Sequence, residues 1–151
     1  MWVYNGKKVS KLEQMPKDVV GFVYNIHNET TEKNYIGKKV THTWKVVGRK
    51  KYDELKESGI EVKKTRKGTG WTYKAKLESD WLNYVGSNKD LQKDFKNGHK
   101  IKKEILDYAS CQKQLTFLEL EYQINMNVLR EPENFYNGNI LGKFFPRDIN
   151  C

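Results

Sequence analysis

Cysteine is scarce in this chain. Only Cys111 and Cys151 occur among 151 residues, and neither has a Cys or His neighbour at metal-ligand spacing. That argues against a disulfide framework and against a thiolate zinc site. His27, His42 and His99 are scattered, so no histidine-based metal centre is expected either. No apolar run approaches the roughly 20 residues a membrane span needs. The opening residues 1–14 lack the apolar centre of a secretory signal. No segment combines a basic helical face with a clean apolar one, which speaks against a membrane-surface partner. These absences lead to the expectation of a reduced, intracellular, cytoplasmic protein with no membrane association. Acidic residues are also short: 28 Lys and Arg face 19 Asp and Glu, a formal charge of +9. Such an excess favours a polyanion, because neutralised phosphates release condensed counterions. A lysine-rich composition alone would give the same charge, so charge does not identify the partner. The length suits one domain with a real core, expected over residues 1–151.

What is present reads as follows. Residues 1–17 are a basic lead-in with one short strand at 1–4. Residues 19–27 alternate as a strand, with Val20, Phe22, Tyr24 and Ile26 on one side. Residues 28–34 are polar and turn-rich, and residues 35–44 read as the returning strand. Residues 45–78 are strongly basic (Lys45, Arg49, Lys50, Lys51, Lys63, Lys64, Arg66, Lys67), with a short helical patch at 52–58 and Trp71 after a flexible Gly68-Thr69-Gly70. This region reads either as a nucleic-acid-facing insertion or as ordinary solvated loop. Ser79 can cap a short helix, and Ser87 with Asp90 resembles a capping box opening a helix over 87–95. Residues 101–108 suggest a third strand. From Ser110 a longer helix carries Leu115, Leu118, Tyr122 and Met126 at helical spacing, with Pro132 marking its end. The expected fold class is α+β: a small three-stranded antiparallel sheet flanked by helices, with the basic insertion after the first hairpin.

Two places could carry chemistry. A turn centred near Thr31 sets Tyr24 across from Lys38, and opposed residues share a face. An ammonium beside a phenol favours the phenolate, which can serve as a general base. Tyr35 has the opposite parity to Lys38 and would join them only through a bulge, which Gly37 permits. The commoner role for both tyrosines is as half-buried sheet aromatics. On the long helix, Glu119 shares the face of Leu115 and Tyr122. A carboxylate there needs compensation by a lysine or a metal ion. A divalent ion with oxygen ligands can use one carboxylate plus substrate phosphate and water.

The segments Gly21-Phe22-Val23-Tyr24 and Tyr35-Ile36-Gly37 resemble the paired motifs of the GIY-YIG nucleases. The later order of Ser79-Asp80-Trp81, Tyr84-Val85-Gly86-Ser87, Leu118-Glu119 and Tyr136-Asn137 is similar to a branch common among bacteriophage proteins, some of them homing endonucleases. The resemblance covers roughly residues 19–141. It implies an endonuclease acting on DNA with Mg²⁺ or Mn²⁺, leaving 5′-phosphate and 3′-hydroxyl ends, and placed in host cytoplasm if phage-encoded. It matches Tyr24 to the first motif, Tyr35 and Gly37 to the second, Lys38 to a lysine that directly follows the second motif in some members, Glu119 to the metal glutamate and Asn137 to the supporting asparagine. Lys45, Lys50, Lys51, Lys63, Lys64, Lys67 and Trp71 would track the phosphate backbone. Two departures stand out. Phe22 replaces the first motif glycine. Helix 87–95 offers only Lys89 and Lys93 where family members carry a phosphate-holding arginine, so Arg66 is taken as its replacement. Tyr84-Val85-Gly86-Ser87 could be the second motif instead, but the spacing from Tyr24 favours Tyr35. The alternative function is a basic nucleic-acid-binding protein without catalysis on the same fold.

Overall fold

The computed structural model describes residues 1–151. In chain order the elements are β1 (Trp2–Tyr4), β2 (Lys7–Val9), β3 (Gly21–Asn28), β4 (Asn34–Val40), β5 (His42–Val47), α1 (Arg49–Glu57), β6 (Val62–Lys67), β7 (Gly70–Glu78), α2 (Lys89–Lys96), β8 (Ile101–Ala109), α3 (Gln112–Asn125) and α4 (Pro146–Ile149). The α+β class stands, but there are two sheets. The main sheet has five strands, ordered β2-β1-β8-β3-β4, where three were expected. The extra pair comes from the lead-in, which forms a hairpin whose β1 runs parallel to β8. Trp2 explains the docking. Its fully buried ring packs edge-on to Phe22 and Tyr24, and its Nε1 donates to the Trp81 carbonyl at 2.7 Å. A buried indole N–H needs such a partner.

Both faces of β3 are covered. Phe22, Tyr24 and Ile26 pack with Trp2, Trp81, Leu91 and Ile105. Val23 and Ile36 pack with Leu115, Val128, Leu129, Phe135 and Ile140 on the α3 side. The expected alternation therefore holds from Phe22 onward. Val20 lies ahead of the strand and packs with the α3 side instead.

The hairpin register differs by one residue from the sequence reading. Tyr24 pairs with Gly37 and Val23 with Lys38. The turn is asymmetric, with Glu32 in the left-handed region at φ 59°. Since side chains alternate, this slip moves Lys38 to the opposite face from Tyr24. It also puts Tyr35 on the Tyr24 face with no bulge in β4. The one irregularity of β3 lies on its β8 side, between Val23 and Tyr24.

The region read as insertion or loop is ordered as a second sheet, β5-β7-β6, with α1 against it. Tyr52 of α1 is buried on this sheet, its ring 5.0 Å from that of Tyr73. The two ends of the region meet. Ser79 N–H donates to the Thr41 carbonyl at 2.9 Å, and Ser79 Oγ donates to the Val40 carbonyl at 2.6 Å. Ser79 is thus a clamp, not a helix cap, and only a single 3₁₀ turn, Trp81–Asn83, follows. At α2 the cap is Asn88, whose Oδ1 accepts from Leu91 N–H at 3.0 Å, instead of Ser87. α3 stops at Asn125, before Pro132, because Asn127 turns left-handed at φ 61°. No helix is long and apolar enough to cross a membrane.

Candidate active site

Gly37 shapes the centre of the site. A Cβ built there would lie 2.5 Å from Tyr24 Oη, 2.7 Å from its Cζ and 3.1 Å from the Tyr35 ring. The missing side chain is a slot on β4 through which the Tyr24 phenol lies across the strand. Tyr24 is only 1% exposed, ringed by Trp2, Phe22, Tyr35 and Tyr84. Burial pushes its phenol well above the usual value, and Tyr84, Tyr35 and Glu119 push the same way. No ammonium offsets this. Two cations share this face: Lys39, which is engaged by Asp80 at 2.5 Å and lies over the Tyr84 ring at 4.0 Å, and Lys103, whose ammonium donates to the Leu82 and Tyr84 carbonyls. The Lys39 contact holds the Asp80 carboxyl below its usual range. The expected Lys38-assisted phenolate at Tyr24 is therefore corrected: Tyr24 is a neutral phenol at neutral pH, and Lys38 points to the other face.

Tyr35 is the phenol that reaches solvent. It lines a polar cleft of about 510 Å³ together with Ser87, Asn88, Lys89, Asp90, Glu119, Gln123 and Asn137. Its Oη is 2.9 Å from Ser87 Oγ. Burial also raises the Tyr35 phenol, with the Ser87 hydrogen bond opposing.

Glu119 enters the cleft from α3, whose Leu115 anchors the helix in the core. Its side chain is 22% exposed, and Lys38 Nζ stands 3.9 Å from Oε1 while donating to Thr116 Oγ1 at 2.9 Å. Burial raises the Glu119 carboxyl, and the Lys38 charge and backbone N–H oppose that rise only in part. Lys38 is thus a partner of Glu119.

Asn137 secures the open edge of β4. Its Oδ1 accepts from Ile36 N–H at 3.0 Å and its Nδ2 donates to Ile36 O at 2.8 Å, as a neighbouring strand would. Gln123, one turn after Glu119, donates to the same carbonyl at 3.1 Å. Tyr136 N–H extends the seal by donating to Asn34 O at 2.8 Å. Ser87, Asn88, Asp90 and Gln123 were not selected from the sequence. The i+4 spacing of Gln123 from Glu119 was a usable signal.

The remaining expected residues lie elsewhere. Arg66 is on exposed β6, its guanidinium 5.5 Å from the centre of the Trp71 ring, and does not line the cleft. The cation that does is Lys89, at the first position of α2. Lys45 lies on β5, Lys50 and Lys51 on α1, Lys63, Lys64 and Lys67 on β6, and Trp71 on β7, all exposed. No group of three or more His, Cys, Asp or Glu side chains gathers to hold a metal. The cleft instead offers two carboxylates, Glu119 and Asp90, among neutral oxygen donors. Hydroxyl, amide and carboxylate oxygens suit a hard cation that keeps much of its water.

Two tyrosines on one face of a hairpin, a glycine slot between them and a helix glutamate behind its edge define a domain of the GIY-YIG type. The chain belongs to the family described as "Putative endonuclease segE, GIY-YIG domain", whose model matches residues 2–140. The matched span runs across β1, β2 and the second sheet. No curated protein and no solved structure matches the chain.

Proposed function

We propose that this protein is a divalent-metal-dependent endonuclease that hydrolyses DNA phosphodiester bonds, in a phage homing or DNA-degrading role. The observation that carries this reading is the meeting of Tyr35, Ser87, Lys89 and Glu119 in one polar cleft, with Tyr24 packed behind them through the Gly37 slot. Glu119 and the neighbouring oxygens would hold Mg²⁺ or Mn²⁺. When bound, such an ion supplies Lewis-acid stabilisation of the phosphoryl oxygens and of the leaving 3′ oxygen.

The chain's own residues do the rest. Lys89, beside the N-terminus of α2, attracts the phosphate, though without the bidentate fork of an arginine. Tyr35 Oη orients the attacking water. Because its phenol is neutral, it accepts the water's proton only as it passes its own to Ser87 Oγ, whose hydroxyl proton leaves in turn to solvent. Tyr24 has no access to water and fixes the Tyr35 ring from behind. Asn137 and Gln123 hold the Ile36 peptide, and so the direction of β4 between Tyr35 and Gly37.

The test is incubation of supercoiled plasmid with the purified protein and Mg²⁺ or Mn²⁺, beside Glu119→Gln and an EDTA control. Nicking or linearisation that disappears in both controls is expected. DNA retardation by both proteins, with no cutting under any divalent metal, would instead establish a binding protein on the same fold.

A further inference from the structure

The second sheet has more charge than its fold needs. Between Glu61 and Glu78 lie six cations (Lys63, Lys64, Arg66, Lys67, Lys74 and Lys76) and no acid. That segment alone accounts for six of the nine excess charges. Helix α1, just before it, is nearly balanced: Arg49, Lys50, Lys51 and Lys56 face Asp53, Glu54 and Glu57. A scaffold sheet does not benefit from like charges side by side.

The placement of these cations is informative. β6 pairs with β7 from Val62↔Ala75 to Lys67↔Gly70, but β5 leaves β7 at Val47↔Tyr73. Residues 65–72 therefore project past β5 as a two-stranded ribbon, exposed almost throughout. The ribbon together with its base, where Lys63 and Lys64 lie, is basic on both faces. Lys64 and Arg66 share the α1 side with Trp71, at 5.0 and 5.5 Å from the ring centre. Lys63 and Lys67 alternate to the open side, where Lys63 lies 4.1 Å from the centre of the Trp44 ring. A sheet laid flat on DNA needs cations on one face only. A ribbon entered between two phosphate walls needs them on both. The major groove, about 12 Å wide, admits a two-stranded ribbon.

We infer that the β6–β7 ribbon docks in the major groove of duplex DNA, with Lys64 and Arg66 toward one phosphate wall and Lys63 and Lys67 toward the other. This rests on the nuclease reading for its choice of DNA. It assigns the sequence-selected basic residues unequally: the ribbon binds, and Lys50 and Lys51 on the balanced helix contribute little. It also moves Arg66 from a catalytic replacement to a groove contact.

The experiment measures duplex affinity against salt in EDTA, where no cutting occurs. Two variants each remove four cations. One carries Lys63→Gln, Lys64→Gln, Arg66→Gln and Lys67→Gln. The other carries Arg49→Gln, Lys50→Gln, Lys51→Gln and Lys56→Gln. Near-ultraviolet circular dichroism checks that both are folded. The ribbon variant is expected to flatten the slope of log K against log salt by roughly 3 to 4, at about 0.9 per lost phosphate contact, and the helix variant to leave it nearly unchanged. Wild type is expected to protect guanine N7, which faces the major groove, from methylation, and the ribbon variant to lose that protection. Equal losses in the two variants, unprotected N7, tighter binding to single strands, or no DNA binding by wild type would each overturn the inference. The nuclease reading is judged separately. Ribbon-dependent binding without metal-dependent cutting refutes that reading alone, and cutting with an unaffected ribbon variant refutes the ribbon alone.

Discussion

Replacing Gly37 by alanine should damage stability and activity together. The new Cβ would stand 2.5 Å from Tyr24 Oη and 2.7 Å from Cζ. Non-bonded carbons rest at about 3.5 Å or more, so the phenol must retreat by about 1 Å. It has nowhere to go. Trp2, Phe22, Tyr35 and Tyr84 pack around it with ring centres 5.4 to 6.3 Å away. Overpacking of this kind costs about 1–3 kcal/mol. For a domain of this size that corresponds to a fall in Tm of about 2–12 °C. A displaced Tyr24 shifts Tyr35, and a misplacement of about 1 Å near the chemistry costs on the order of 100-fold in rate. Thermal denaturation and plasmid nicking read the two effects. Gly138→Ala, whose Cβ meets nothing within 4 Å, is the stability control. In a Tyr24→Leu background no ring fills the slot, so Gly37→Ala should cost less there, with a coupling of about 0.5–3 kcal/mol. An unchanged Tm and rate for Gly37→Ala, or costs that simply add with Tyr24→Leu, would refute the slot as the organising feature.

Glu119→Gln should abolish cleavage yet raise Tm in EDTA. Burial lifts the folded carboxyl above its ordinary 4.5, so wild type loses stability as pH rises from there through the raised value. The glutamine variant lacks that loss, and an advantage that shrinks with pH would contradict the sign. Asn137→Ala leaves the Ile36 N–H without a partner and should cost about 1–3 kcal/mol. Hydrogen exchange at Ile36 should speed up, and an unchanged rate would mean that the seal on β4 does not depend on this amide. Lys103 donates to the carbonyls of Leu82 and Tyr84 at 2.9 and 3.0 Å and is lowered by burial to about 8. The unfolded chain keeps that proton up to the ordinary 10.5, so wild type should gain stability relative to Lys103→Met as pH climbs from about 8 toward 10.5. A falling difference in pH-dependent melts would show that the ammonium is not desolvated.

Much of the frame is legible in the residues. The alternation of Phe22, Tyr24 and Ile26 marks β3, and Leu115 with Leu118 and Tyr122 marks α3. Glu119 stands out because its spacing puts a carboxylate on that helix's packed face. The hairpin register was less accessible, since it depends on a left-handed Glu32 that nothing in the residue type announces. One residue of slip was enough to send Lys38 to Glu119 and leave Tyr24 without a cation. The second sheet escaped for another reason. Val62-Lys63-Lys64-Thr65-Arg66-Lys67 has no apolar alternation, because this ribbon is covered on neither face near its tip. Its strands are held by pairing to β7 and not by burial. Ser87 reads as a helix cap in the sequence, but its neighbour Asn88 takes the cap and frees it to meet Tyr35.

The clamp at Ser79 has a consequence for descent. It brings residues 41 and 79 side by side, so everything between them hangs from a single joint on the edge of the main sheet. Chain added or removed at such a joint leaves the spacing of the flanking strands intact, the circumstance in which insertions are best tolerated. The tyrosine hairpin and the cleft can stay under strict selection while the arm drifts in length and sequence. A lineage could thus rewrite about 37 residues of the arm without retuning the packing of the cleft.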